Sequence, residues 1–213
     1  MDTQETLLNR RSIRAYLKDP VAPETIKKIM TAAIWAPSGS NTQPWRFYVA
    51  TGAKRDQLVE AMVEASGPEA PTVDAFDELV GRLEKEANEA SDGISWGPMN
   101  EETMTFARFG SIRFYQAPVA IVLAAPKQMS GSAQQSLGAA MENLLLAAHA
   151  EGLGTCWLGM PLMYKEKIIE VLNIPEDEVL ITSASLGYPD TASPFNRMDR
   201  MRLPYDETVH LLS

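Results

Sequence analysis

The chain has 213 residues, 45% of them hydrophobic and 22% charged, an ordinary globular composition that supports one domain with a sizeable core. Its formal charge of -9 argues against a polyanionic partner such as nucleic acid or an anionic membrane surface. The lone cysteine, Cys156, excludes an internal disulfide and suits a reducing, cytoplasmic setting, while no apolar run is long enough to span a bilayer and the first residues lack the pattern of a signal peptide.

In chain order, Thr3 is placed to cap a short helix reaching Asn9. The stretch Arg10-Arg11-Ser12-Ile13-Arg14 follows at its exit. Three guanidiniums and a hydroxyl on an acidic chain read as a pocket for one compact anion, with a solvated turn as the bland alternative. Pro23 suits a helix first turn, and Ile26, Ile29, Met30, Ala33 and Ile34 form one face of a helix over Pro23–Ala36. The residues from Ser38 to Pro44 are small, polar turn formers and predict a loop. Trp45–Thr51 predicts a strand and Lys54–Ala65 a helix.

Residues 66–117 differ in character and read as a helical insertion within the single domain 1–213. Phe76, Leu79, Val80 and Leu83 make a helical stripe. Turns are expected at Ser91-Asp92-Gly93 and Gly97-Pro98 around Trp96, and a helix over Met104–Tyr115. The aromatics here suit either ordinary packing or a lid over a flat ligand. Pro118–Ala125 reads as a strand buried on both faces. Ser132–Glu151 predicts a helix apolar on nearly every side, hence buried in a core or between subunits, ending at Gly152. A strand over Thr155–Leu158, a helix over Tyr164–Leu172 and a strand over Val179–Leu186 follow. The tail carries Arg197, Arg200 and Arg202 and predicts a last short helix from Pro204 to Leu211.

Several chemistries are disfavoured. The two histidines, His149 and His210, belong to no His-x-x-x-His or Cys-x-x-Cys pattern, so a transition-metal site is not expected. His149 reads as a core or helix-dipole residue and Cys156 as a buried structural thiol. The run Gly152-Leu-Gly-Thr-Cys-Trp157 fails as a dinucleotide fingerprint: Trp157 replaces the third glycine, and the segment passes from helix to strand rather than the reverse. Phosphate recognition would therefore rest on side-chain cations. Arg200 and Arg202 either meet Arg10–Arg14 in space as one phosphate seat or pair on the surface with Asp190, Asp199 or Asp206.

Four segments together carry a family resemblance: Arg10–Arg14; Ala36-Pro-Ser-Gly-Ser-Asn-Thr-Gln-Pro-Trp-Arg-Phe47; the alanine-rich helix running into Gly152–Gly159; and Leu186-Gly-Tyr-Pro189 with Arg200-Met-Arg-Leu-Pro204. In order and spacing the chain resembles the FMN-dependent nitroreductase family. The resemblance implies an α+β, three-layer fold with a central, mostly antiparallel sheet flanked by helices. It also implies an intertwined homodimer with FMN at the subunit interface. By resemblance, Arg10, Ser12, Arg200 and Arg202 are ligands of the FMN phosphate, with Arg11 adding backbone or ribityl contacts. Arg14 is the cation near the N1–C2=O edge of the flavin. Pro37, Ser38, Gly39 and Asn41 reach it from the other subunit, and Cys156, Trp157, Leu158 and Gly159 lie along its N5 side.

The activity implied is ping-pong transfer of electrons from NADH or NADPH, through FMN, to a flat acceptor such as a nitroaromatic or quinone. No protein residue acts as catalytic acid or base in that scheme. Two features depart from the family pattern: Gly39 stands where many relatives carry serine, and Leu158-Gly159-Met160 where many carry an acid–glycine pair. Relatives with long insertions include dehalogenating and flavin-cleaving enzymes, which are the alternative readings, together with a flavin-binding protein lacking reductase activity.

Overall fold

The computed structural model describes residues 2–89, 100–131 and 133–212. The turns expected around Trp96, and the helix start expected at Ser132, lie outside the described residues. Helix α1 spans Thr3–Asn9, and α2 spans Pro23–Ile34. Strand β1 (Arg46–Thr51) leads directly into α3 (Gly52–Ala65). Helices α4 (Val73–Glu89) and α5 (Glu101–Ile112) precede strand β2 (Val119–Pro126). Helix α6 (Ala133–Ala150), β3 (Gly154–Leu158), α7 (Lys165–Leu172), β4 (Glu178–Gly187) and the short α8 (Tyr205–Thr208) complete the chain.

The four strands form one antiparallel sheet in the order β1-β2-β4-β3. Strand β2 shows why both its faces are apolar. Alternate residues point to opposite sides. Ala120 and Val122 join a cluster with Leu58 and Met62 of α3, Phe76 and Leu79 of α4, and Phe106 and Phe109 of α5. Val119, Ile121 and Leu123 join a second cluster with Ile29 and Ala33 of α2 and Leu137, Met141 and Leu144 of α6. The sheet is thus the middle of three layers. Phe106 is 1% exposed and stacks on Phe195 with ring centroids 4.4 Å apart, so its truncation to alanine should cost about 3–5 kcal/mol.

The insertion aromatics Phe76, Phe106, Phe109 and Phe114 are core residues. Helix α6 buries one side, while Ala139, Leu146 and Ala147 are half-buried in the single chain.

Local expectations need correction at four points. Asp2, not Thr3, caps α1: its carboxylate accepts from the Glu5 N–H at 2.8 Å. Ile34, the last residue of α2, is 47% exposed, although its spacing places it on the apolar stripe. The helix expected over Met104–Tyr115 instead begins at Glu101, where Asn100 and Thr103 form a reciprocal cap. It stops at Ile112, after which Phe114, Tyr115 and Gln116 all adopt left-handed backbone, with φ of 52°, 49° and 59°. The final helix spans only Tyr205–Thr208.

Candidate functional site

Residues 10–17 run along the open edge of β3. The Ile13 N–H donates to the Thr155 carbonyl at 2.8 Å, Ser12 and Thr155 form a parallel bridge, and the Leu17 N–H donates to the Tyr188 carbonyl at 2.9 Å. Gly154 permits this approach: a Cβ there would lie 2.5 Å from Ile13 Cγ1 and 2.8 Å from Ile13 Cβ. In an extended segment alternate side chains share a side. Arg10, Ser12 and Arg14 therefore project together, and Arg11 projects with Ile13.

Asn196 fastens this segment from 181 residues away. Its Oδ1 accepts from the Arg14 N–H at 2.8 Å and the Ala15 N–H at 3.3 Å, while its Nδ2 donates to the Ala15 and Asp190 carbonyls, each at 2.8 Å. No spacing in the sequence marks Asn196; its role exists only once the two ends of the chain meet.

The second basic cluster arrives at the same place. Arg200 donates to the Arg10 carbonyl and, at 2.7 Å, to the Leu8 carbonyl. Arg11 donates to the Met198 carbonyl. Burial lowers the Arg200 pKa, and the positive charges of Arg11, Arg202 and Arg10 lower it further. Arg200 is therefore close enough to Arg11, Arg202 and Arg10 to be repelled by each. Arg10 has a partial counter-charge in Glu142, 3.3 Å away on α6. The surface pairing of Arg200 and Arg202 with Asp190, Asp199 or Asp206 is not found among the described residues. Arg202 is exposed and donates to the carbonyl of Met201 beside it.

Arg14 sits among groups that report its charge. Burial raises the Cys156 thiol, and the Arg14 guanidinium, the Ser12 hydroxyl and Arg10 oppose that rise. Burial also raises Tyr115 and Tyr16, with Arg14 again opposing. Tyr16 donates to the Ile13 carbonyl and shares a 2.8 Å hydrogen bond with the Ser185 hydroxyl. Tyr115 comes from the end of the insertion, so that segment contributes a phenol beside Arg14. Sequence reasoning did not single out Tyr16, Tyr115 or Asn196.

Of the core and helix-dipole roles expected of His149, its surroundings favour the core one. It lines a cavity of about 310 Å³ with Arg10, Arg11 and Arg197. Burial, then Arg10 and Arg200, lower its pKa, so the neutral form is favoured and a charge–dipole role is lost. Its Nε2 is buried without a partner among the described residues.

The remaining candidates lie in two groups. Trp157 is 44% exposed and its indole N–H donates to the Thr182 hydroxyl at 2.6 Å, while the Leu158 carbonyl accepts from Ser183 at 2.9 Å. Because the Thr155 carbonyl faces the open edge of β3, strand alternation turns the backbone of Trp157 to that edge too. Gly159 is exposed just beyond the strand. Pro37, Gly39 and Asn41 are exposed in the loop after α2, and Ser38 accepts from the Gln43 N–H at 3.1 Å. The hydrogen bonds of this loop stay near home: within one chain the structure does not tie it to the guanidiniums. No group of three or more His, Cys, Asp or Glu that could hold a metal occurs among the described residues, and none of their helices is long and apolar enough to cross a membrane.

The sequence model of the nitroreductase family matches residues 7–188, and the chain belongs to that family. It is 30% identical to a nitrobenzene nitroreductase of Ectopseudomonas oleovorans, over 95% of this chain and 93% of the relative. It is 31% identical to nitroreductase NfnB of Mycolicibacterium smegmatis, over 97% of this chain and 91% of that one. The crystal structure of the FMN-dependent nitroreductase NfnB from Mycobacterium smegmatis in complex with NADPH superposes with a TM-score of 0.81 at 28% identity, covering 99% of this chain and 97% of that one.

Proposed function

We propose that the protein is an FMN-dependent oxidoreductase that draws on NADH or NADPH and reduces a flat, electron-poor acceptor such as a nitroaromatic or quinone. One observation carries the reading: two arginine clusters from opposite ends of the chain meet against the open edge of β3, where Arg10 pairs with Glu142 and Arg200 has no carboxylate partner among the described residues. Like charges held this way are stabilised by an anion bound between them, and a phosphate monoester suits planar guanidinium donors. Nitroreductase relatives and an FMN-dependent, NADPH-bound neighbour agree with it.

In this reading Arg10, Ser12, Arg200 and Arg202 hold the phosphate, and Arg11 braces the segment through Met198. FMN, when bound, supplies the electron-transfer chemistry. Arg14 places a fixed positive charge in a site shielded from water, where it stabilises negative charge more strongly than it would in bulk solvent. Asn196 holds the Arg14 backbone and so orients that charge. The backbone of Cys156–Gly159 forms the wall at the sheet edge. The phenols of Tyr16 and Tyr115, raised by burial, stay protonated and can donate hydrogen bonds.

The loop carrying Pro37, Ser38, Gly39 and Asn41 completes the site from a second subunit. Exposed Leu8, Ile34 and Trp35, the last at 81%, supply apolar surface for that dimer. The insertion acts as a lid whose aromatic base is anchored in the core. The single buried cysteine suits the cytoplasm.

Purified protein supplied with FMN should turn yellow at about one flavin per chain, elute as a dimer, and bleach anaerobically on mixing with NADPH or NADH. A protein that stays colourless overturns the flavin assignment. One that binds FMN but is bleached by neither nucleotide overturns the reductase reading alone.

A further inference from the structure

A second feature lies at the opposite edge of the sheet, where β1 ends at Thr51 and β2 begins at Val119. A cavity of about 710 Å³ opens there, with apolar walls from Val21, Val59, Phe76 and Val119. Its charged groups are Lys18, Arg55 and Arg113 against Asp56 and Asp77, a net charge of +1. Both acids are engaged: Asp56 pairs with Arg55 Nη1 at 3.0 Å, and Asp77 accepts from Gln116 Nε2 at 2.7 Å.

The cations keep unused donors. Arg113 is 5% exposed; its guanidinium lies 4.9 Å from the Phe76 ring centroid and donates through Nη2 to the Pro71 carbonyl. Its Nη1 is buried with no acceptor among the described residues. Arg55 gives Nη2 to the Arg113 carbonyl at 2.9 Å and leaves Nε in the same state. Buried donors of this kind are almost always partnered, and a guanidinium can only donate; the two nitrogens are closed to water in the free chain, so an acceptor reaches them when the side chains turn toward the cavity. Burial lowers the Arg113 pKa, and only Asp77 opposes that shift.

The geometry points to a ligand site for an organic monocarboxylate, with its apolar body against Val59, Phe76 and Val119 and its carboxylate between Arg113 and Arg55. The net charge matches a monoanion. A phosphate dianion would face Asp56 and Asp77 with too little positive charge to balance it, and would leave the apolar walls empty. The site shares no lining residue with the guanidinium cluster at β3, so it stands or falls apart from the flavin reading.

The test uses the FMN-loaded protein and three probes: 4-iodobenzoate, neutral 4-iodobenzamide and inorganic phosphate. Calorimetry should show saturable binding of 4-iodobenzoate, weakened about tenfold or more in Arg55→Gln and Arg113→Lys at unchanged flavin content. Anomalous scattering from soaked crystals should place iodine beside Phe76. Should Arg113→Lys fail to fold, Arg55→Gln still decides. Iodine found only elsewhere overturns the proposal, as does equal affinity for the amide or phosphate, or wild-type affinity in Arg55→Gln.

Discussion

Replacing Arg200 by alanine separates a ligand-binding cation from a structural strap. Without ligand, Arg200 makes two hydrogen bonds to backbone carbonyls while Arg10, Arg11 and Arg202 repel it. Arg200 is half-buried, so both effects are softened by solvent, and they oppose each other. The ligand-free protein should therefore lose no more than about 1 kcal/mol, a fall of roughly 2–4 °C in Tm for a chain of this size. With a phosphate in place the lost contact is charge-assisted, worth roughly 1.5–3 kcal/mol, which corresponds to roughly 10- to 150-fold in Kd. Titrating FMN into apoprotein and following flavin fluorescence measures this directly. Repeating the titration between about 0.05 and 0.5 M salt should narrow the gap between wild type and variant, because exposed charges are screened. Unchanged FMN affinity would refute the phosphate seat. A large fall in Tm with wild-type affinity would make Arg200 a tether for Leu8 and Arg10 and nothing more.

Other outcomes follow from the same geometry. Gly154→Ala should force residues 12–14 away from β3, lowering stability by about 1–3 kcal/mol and weakening FMN binding further than the fold loss explains; urea unfolding and flavin titration check the two separately. The folded-state pKa of His149 lies below its usual value, so the unfolded chain takes up that proton more readily. The contribution of His149 to stability is thus present above about pH 6.5 and lost as pH falls below it. His149→Gln should flatten that part of the urea-stability profile, and an unchanged slope would contradict the assignment. The Cys156 thiol is 3% exposed and pushed upward by burial, so a disulfide reagent at neutral pH should leave it unmodified until the protein is unfolded.

Much of the layer structure was legible because burial writes itself into periodicity. The continuous apolar run near Pro118 became the central strand β2, and the stripe of Phe76, Leu79 and Leu83 became the buried face of α4. The resemblance carried the arginine clusters, and their partnership is visible in the contacts of Arg200. What stayed hidden was non-local or conformational. Asn196 looks like any turn asparagine until its amide meets the backbone of Arg14 and Ala15. The left-handed run Phe114–Gln116 contains no glycine or asparagine to announce it, so it read as the end of a helix. Nothing in the sequence singles out Arg55 or Arg113. Only the fold shows one of them 5% exposed with a nitrogen lacking an acceptor.

That left-handed run also limits how the chain can change length. Arg113 lines the cavity at the β1 edge, while Tyr115, two residues on, reaches Arg14. The reversal between them sends neighbouring side chains to separate destinations. Deleting a single residue here would put Gln116 where the phenol now stands and slide Val119–Ala124 out of their register with β1. Such a deletion should be far more damaging than one of equal size in the exposed loop after α2, even though neither removes a charged group.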